Sequence, residues 1–165
     1  MRELTYTLLG DGTSDRALLP VINWTIQQYR PTLLVRPQWA DFSYLRNPPP
    51  LDNLPERIRK TFDLFPCDLL LVHRDAEKQP AEERHREIAN AWQKIEVEYP
   101  RIHTLGVVPI RMTEAWLLID APAIRLAAGN PHGTQPIPLP ALSKLESLPD
   151  PKQVLHQFLK ESSGL

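Results

Sequence analysis

Apolar and polar residues follow two rhythms along this chain, and the change from one to the other outlines its elements. Leu4 to Leu9 is a short β-compatible run stopped by Gly10, which predicts a strand. From Ser14 onward Leu18, Ile22 and Ile26 stand four apart, which predicts a helix capped by Thr13 or Ser14. "TLLVRPQW" (32–39) predicts a second strand, and Pro37 suits it to an edge or a strand end. Leu54, Ile58, Phe62 and Phe65 mark another amphipathic helix, with Asn53 as its cap. In "DLLLVHRD" (68–75) the unbroken aliphatic run predicts a strand buried on both faces, as at the centre of a parallel sheet. Ile88, Trp92, Ile95 and Tyr99 then predict one long helix from Ala81 to Tyr99. "TLGVVPIR" (104–111) predicts a fourth strand, and "TEAWLLI" (113–119) a helix opened by Thr113. Asp150 and Pro151 form an N-cap and N1 pair for a last helix through Lys160.

Alternating strands and helices predict an α/β fold, a three-layer sandwich around a mostly parallel sheet of four or more strands. A short C-terminal helical segment completes it. Proline concentrates in "RNPPPLDNLP" (46–55) and "NPHGTQPIPLP" (130–140). The expectation is a single domain: an α/β body over 1–128, a proline-rich loop over 129–140 and a helical tail over 141–165.

Composition narrows the class. A chain of 165 residues, 42% hydrophobic and 24% charged, is that of an ordinary globular protein. A net charge of −1 gives no global basic surface, so any contact with nucleic acid must be local or shared with another subunit. Cys67 is the only cysteine, and His85, His103, His132 and His156 lack zinc-like spacing, which argues against a zinc enzyme. The N-terminus has no signal-like apolar region and no stretch is long enough to span a bilayer, so a cytoplasmic protein is expected.

Ligands of open parallel sheets bind outside the carboxyl ends of the strands, and acids fall there three times. The first strand ends in Gly10-Asp11-Gly12, the central one in His73-Arg74-Asp75-Ala76-Glu77, and the fourth in Arg111-Met112-Thr113-Glu114. "GDGTSD" has neither the spacing of a dinucleotide-binding loop nor a P-loop lysine. Carboxylates gathered on one rim instead suit a hard divalent ion such as Mg²⁺. In an extended chain His73, Asp75 and Glu77 project to one side. Each acid also has a plainer role: Asp11, Asp15 and Glu114 could stabilise turns or helix N-termini, and Glu77 could be a solvated loop acid. His73 could be a packed strand-end residue, and Trp92 and Trp116 are expected as core anchors.

An acid-glycine turn after the first strand ("DGTSD": Asp11, Gly12, Ser14, Asp15) and an acid-x-acid after a central apolar strand ("DAE": Asp75, Glu77) resemble the Toprim domain of topoisomerases, primases and OLD-family nucleases. Aspartate stands at 11 where that family has glutamate, and glutamate at 77 where it has aspartate. A second register would place His73 and Asp75 at the paired positions. "TEAWLLID" and "DPKQVL" are similar to small stand-alone Toprim-like proteins often encoded beside AAA-type ATPases, which commonly run on beyond a terminus such as "ESSGL". The resemblance implies a Mg²⁺- or Mn²⁺-dependent nuclease, with Asp11, Asp75, Glu77 and Glu114 as catalytic and metal-binding acids. Arg74, Lys78 and Arg111 would then face the phosphate, with Asp15 and His73 as secondary site residues. It further implies a DNA or RNA substrate, and an ATPase partner or self-assembly in anti-phage defence. A non-catalytic Toprim-like binding or regulatory module is the alternative. A phosphoacceptor of receiver type, with Asp75 as acceptor, is a third reading.

Overall fold

The computed structural model describes residues 3–76, 79–109 and 113–164. They form two compact units: one comprises Met1–Arg74 with Pro80–Val108, the other Asp75–Gln79 with Pro109–Leu165.

The first unit is the expected α/β sandwich. Strands β1 (Glu3–Leu9), β2 (Leu34–Trp39), β3 (Leu69–His73) and β4 (His103–Val107) make one parallel sheet in the order β2-β1-β3-β4. Leu8 is in register with Trp39 and with Leu71, and Leu71 with Leu105. Successive side chains of a strand point to opposite faces, and this period sorts the core. Tyr6 reaches the face of helix α1 (Leu18–Tyr29), where its hydroxyl donates to the Leu19 carbonyl at 3.2 Å. Thr7 points the other way and donates to the Phe65 carbonyl at 3.0 Å, just past helix α2 (Leu54–Leu64). On that second face Leu9, Leu70 and Val72 pack with Ile58 and Phe62 of α2 and with Ile88 of helix α3 (Ala81–Gln93). Parallel pairing requires crossovers, and with α1 on one face and α2 and α3 on the other each crossover can take its favoured right hand.

Some boundaries differ from the sequence expectation. The long helix stops at Gln93 instead of Tyr99, and a 3₁₀ turn, Glu96–Glu98, follows. The apolar stripe ran on because Ile95, fully buried, and Tyr99 still face the core although the backbone has left the helix. The first helix is preceded by a 3₁₀ turn, Thr13–Ala17, capped by Gly12 and not by Thr13 or Ser14. Pro37 does lie in an edge strand, where no neighbour needs its missing N–H.

The second unit is helical. Thr113 opens a 3₁₀ turn, Thr113–Leu117, instead of an α-helix. The α-helix here is α4 (Ala121–Ala127), whose cap Asp120 accepts from the Ala123 N–H at 3.0 Å. Helix α5 (Pro151–Ser163) is capped by Asp150 as expected, accepting from the Gln153 N–H at 2.8 Å. Leu118, Ile124, Leu145, Leu155 and Phe158 form its core. No helix among the described residues is long and apolar enough to cross a membrane.

Candidate functional site

The connections from β1 and β3 leave the sheet in opposite directions, so their carboxyl ends flank the topological switch point where such sheets bind ligands. The turn from Gly10 to Asp15 lies there. Gly10 has no room for a side chain: a Cβ would stand 2.6 Å from Asp15 Oδ2 and 2.8 Å from Trp39 Cη2. Asp15 folds back into the space this leaves. Its Oδ2 accepts from the Asp11 N–H at 2.9 Å and the Gly12 N–H at 3.2 Å. The same oxygen lies 3.1 Å from Nδ1 of His73, which is 1% exposed on the α1 face of β3. Burial would push the Asp15 carboxyl up, but the His73 contact and the backbone N–H groups of Gly12 and Asp11 outweigh it and hold the carboxyl below its ordinary range. Asp15 thus fixes the turn from within.

Asp11 faces outward and is 38% exposed. Its Oδ2 lies 3.0 Å from Nε of Arg74, the residue after β3, whose guanidinium continues to Glu87 Oε1 at 3.2 Å. Arg84 closes the chain on Glu87 Oε2 at 2.9 Å. Burial raises the Asp11 carboxyl above its ordinary value, while Arg74 and Arg57 pull it down and Asp15 adds a smaller upward push. Arg57 comes from α2 and is buried: it donates to the Gly10 carbonyl at 2.7 Å, and its guanidinium lies 5.3 Å from the centre of the Phe42 ring. Beside the turn opens a cleft of about 340 Å³, walled by Gly10–Thr13, by the chain that follows β2 and by Pro48–Leu51.

Of the residues singled out from the sequence, the first unit therefore brings together Asp11, Asp15, His73 and Arg74. Arg74, expected to face phosphate, here links two carboxylates. Asp75 and Glu114 belong to the second unit, Glu114 in the Thr113–Leu117 turn. Glu77, Lys78 and Arg111 lie outside the described residues. Among the described residues no three His, Cys, Asp or Glu side chains are grouped to hold a metal ion.

Arg57 and Glu87 belong to the site although they stand apart from the acidic motifs of the sequence. Arg57 did carry a signal. Leu54, Arg57, Ile58 and Thr61 follow the 3-4-7 spacing of one helix face, and all four are buried. An arginine on an apolar stripe needs polar partners, which here are carbonyls of the turn and the proline loop. Glu87 carried none beyond its place three residues after Arg84 on a charged helix.

Comparisons with protein-family models, curated proteins and solved structures found no match.

Proposed function

We propose that this chain is a metal-dependent phosphodiesterase acting on nucleic acid in the cytoplasm, a nuclease of the Toprim-like kind. The observation that supports it is the position of Asp11. It is an outward-facing, exposed carboxylate at the switch point of a parallel sheet, on the wall of a cleft, with its turn locked by a second acid. Asp11 is the proposed oxygen ligand that the first unit would contribute; the resemblance that implies it also implies Asp75, Glu77 and Glu114. A divalent ion on such acids supplies an activated water and stabilises charge on the phosphate. Asp15 and His73 hold the turn that presents Asp11, and Arg57 anchors the carbonyl before it. Arg74 balances the Asp11 charge and is a cation placed to meet a phosphate arriving there.

The test is cleavage of single-stranded and duplex oligonucleotides with Mg²⁺ or Mn²⁺, comparing the natural chain with Asp75→Ala. The expected result is metal-dependent cleavage that the variant loses while its unfolding curve is unchanged. Cleavage retained by a folded Asp75→Ala chain would refute the site.

The Asp11–Arg74–Glu87 chain favours a second reading, a non-catalytic binding or regulatory module, because Asp11 already has a cationic partner. Calorimetry separates the two: absence of heat on adding Mg²⁺ or Mn²⁺ supports the module and removes the enzyme.

A further inference from the structure

We infer that the cleft beside Asp11 seats a nucleobase, so that the nucleic acid engaged there is single-stranded or locally unpaired. The inference rests on the phosphodiesterase reading and adds the form of its substrate.

The cleft lies wholly within the α/β unit, and its volume of about 340 Å³ is that of a small-ligand site. One side is the half-buried indole of Trp39, packed against Gly10 where a Cβ would intrude at 2.8 Å. Another is formed by Pro49, buried, and Leu51, 53% exposed. These walls are tied to one another by protein groups. Arg57 donates to the carbonyls of Gly10 at 2.7 Å and Pro49 at 3.4 Å, and Arg74 donates to that of Leu51 at 3.3 Å. A slot built in this way demands little ordering when a ligand enters.

Its chemistry selects the occupant. Aromatic, proline and leucine surfaces reward a flat apolar body. Asp11 and Asp41 line the same cleft as carboxylates, and Arg57 directs its guanidinium to carbonyls, so a phosphate finds repulsion inside. A planar heterocycle edged with N–H donors satisfies both conditions: an apolar face for Trp39 and amino hydrogens for carboxylate oxygens. Adenine, cytosine and guanine have that character. With its base in the cleft, the nucleotide's own phosphate stays outside it. A paired base cannot enter, since its faces and its amino edge are engaged in the duplex.

Adenosine and cytidine 5′-monophosphates, with ribose 5-phosphate as control, are titrated against the full chain in metal-free buffer and followed by saturation-transfer NMR. Both nucleotides are expected to bind and ribose 5-phosphate is not. Leu51→Asp, at an exposed position, is expected to weaken nucleotide binding at least tenfold with an unchanged unfolding curve. Fluorescence anisotropy is expected to show a single-stranded oligonucleotide bound at least tenfold more tightly than its duplex. No nucleotide binding, equal binding of ribose 5-phosphate, indifference to Leu51→Asp or equal affinity for duplex would each overturn the inference. Nucleotide binding without metal-dependent cleavage removes the phosphodiesterase reading and leaves the base site standing. Cleavage of fully paired duplex by a Leu51→Asp chain does the reverse.

Discussion

Replacing Asp15 by alanine should cost the α/β unit about 3 kcal/mol, and the sum can be worked from three contacts meeting at one oxygen. The His73 ring, 1% exposed, loses a carboxylate 3.1 Å away, and a hydrogen bond to a charged group contributes about 1.5–3 kcal/mol net. The Asp11 and Gly12 N–H groups, at 2.9 and 3.2 Å, are open to water, so each loses only about 0.5 kcal/mol, the low end for a hydrogen bond. Urea unfolding followed by circular dichroism measures the loss as a lower midpoint at constant slope. In a thermal scan it corresponds to a drop of about 6–12 °C for a chain of this size. The pH dependence carries a second check. The folded-state pKa of Asp15 lies below its ordinary value of 3.8, so its contribution is fully present above that value. It fades as the pH falls through the lower folded value, and the two proteins should converge in acid. A loss under about 0.5 kcal/mol at neutral pH, within the range of ordinary surface substitutions, would refute the claim that Asp15 locks the turn.

Gly10→Ala should destabilise the fold by about 1–3 kcal/mol through overpacking, because its Cβ would meet Asp15 Oδ2 at 2.6 Å and Trp39 Cη2 at 2.8 Å. Gly12→Ala is the control: its φ is −134° and its nearest neighbour would be Ser14 Oγ at 3.6 Å, so its urea midpoint should stay near that of the natural chain. The Tyr6 phenol, fully buried, is pushed up to about 12 by burial, from an ordinary 10.0. Its contribution to stability is present below pH 10.0 and is lost as the pH rises through the folded value, so ultraviolet titration should show a tyrosine titrating at about 12 that Tyr6→Phe removes.

The fold was legible wherever periodicity and burial coincide. The aliphatic run Leu69–Val72 could only be a strand covered on both sides, and it is a central one. Pro37 pointed to an edge for the reason it now occupies one. Failures occurred where apolar spacing outlives the backbone that produced it. Trp92, Ile95 and Tyr99 continue a helical rhythm, yet they reach the core from a helix end, a connecting residue and a loop. In "TEAWLLI" the buried Ala115 and Leu118 are three apart, which serves a 3₁₀ turn as well as an α-helix. Just beyond that apolar run, Asp120 followed by Ala-Pro carries the start signal of the α-helix that forms.

The site was harder to read because the sequence shows that a turn holds two acids, not which one the fold consumes. Asp15 stands third in a helical turn and can reach back to the N–H of Gly12, the reciprocal half of a capping box. What completes its commitment lies far away in sequence: β3 places His73, nearly sixty residues on, against the same oxygen, and β2 supplies the indole that keeps position 10 bare. With two backbone N–H donors and the His73 ring on one atom, Asp15 cannot turn outward without releasing the backbone of Asp11. Asp11 is constrained differently. Its partner Arg74 is a side chain that also spans to Glu87, so the Asp11 carboxylate can change partners without unfolding the turn. The two acids of "DGTSD" thus separate into one that holds and one that is presented. The opposite directions of their pKa shifts, Asp15 down and Asp11 up, are the electrostatic trace of that division.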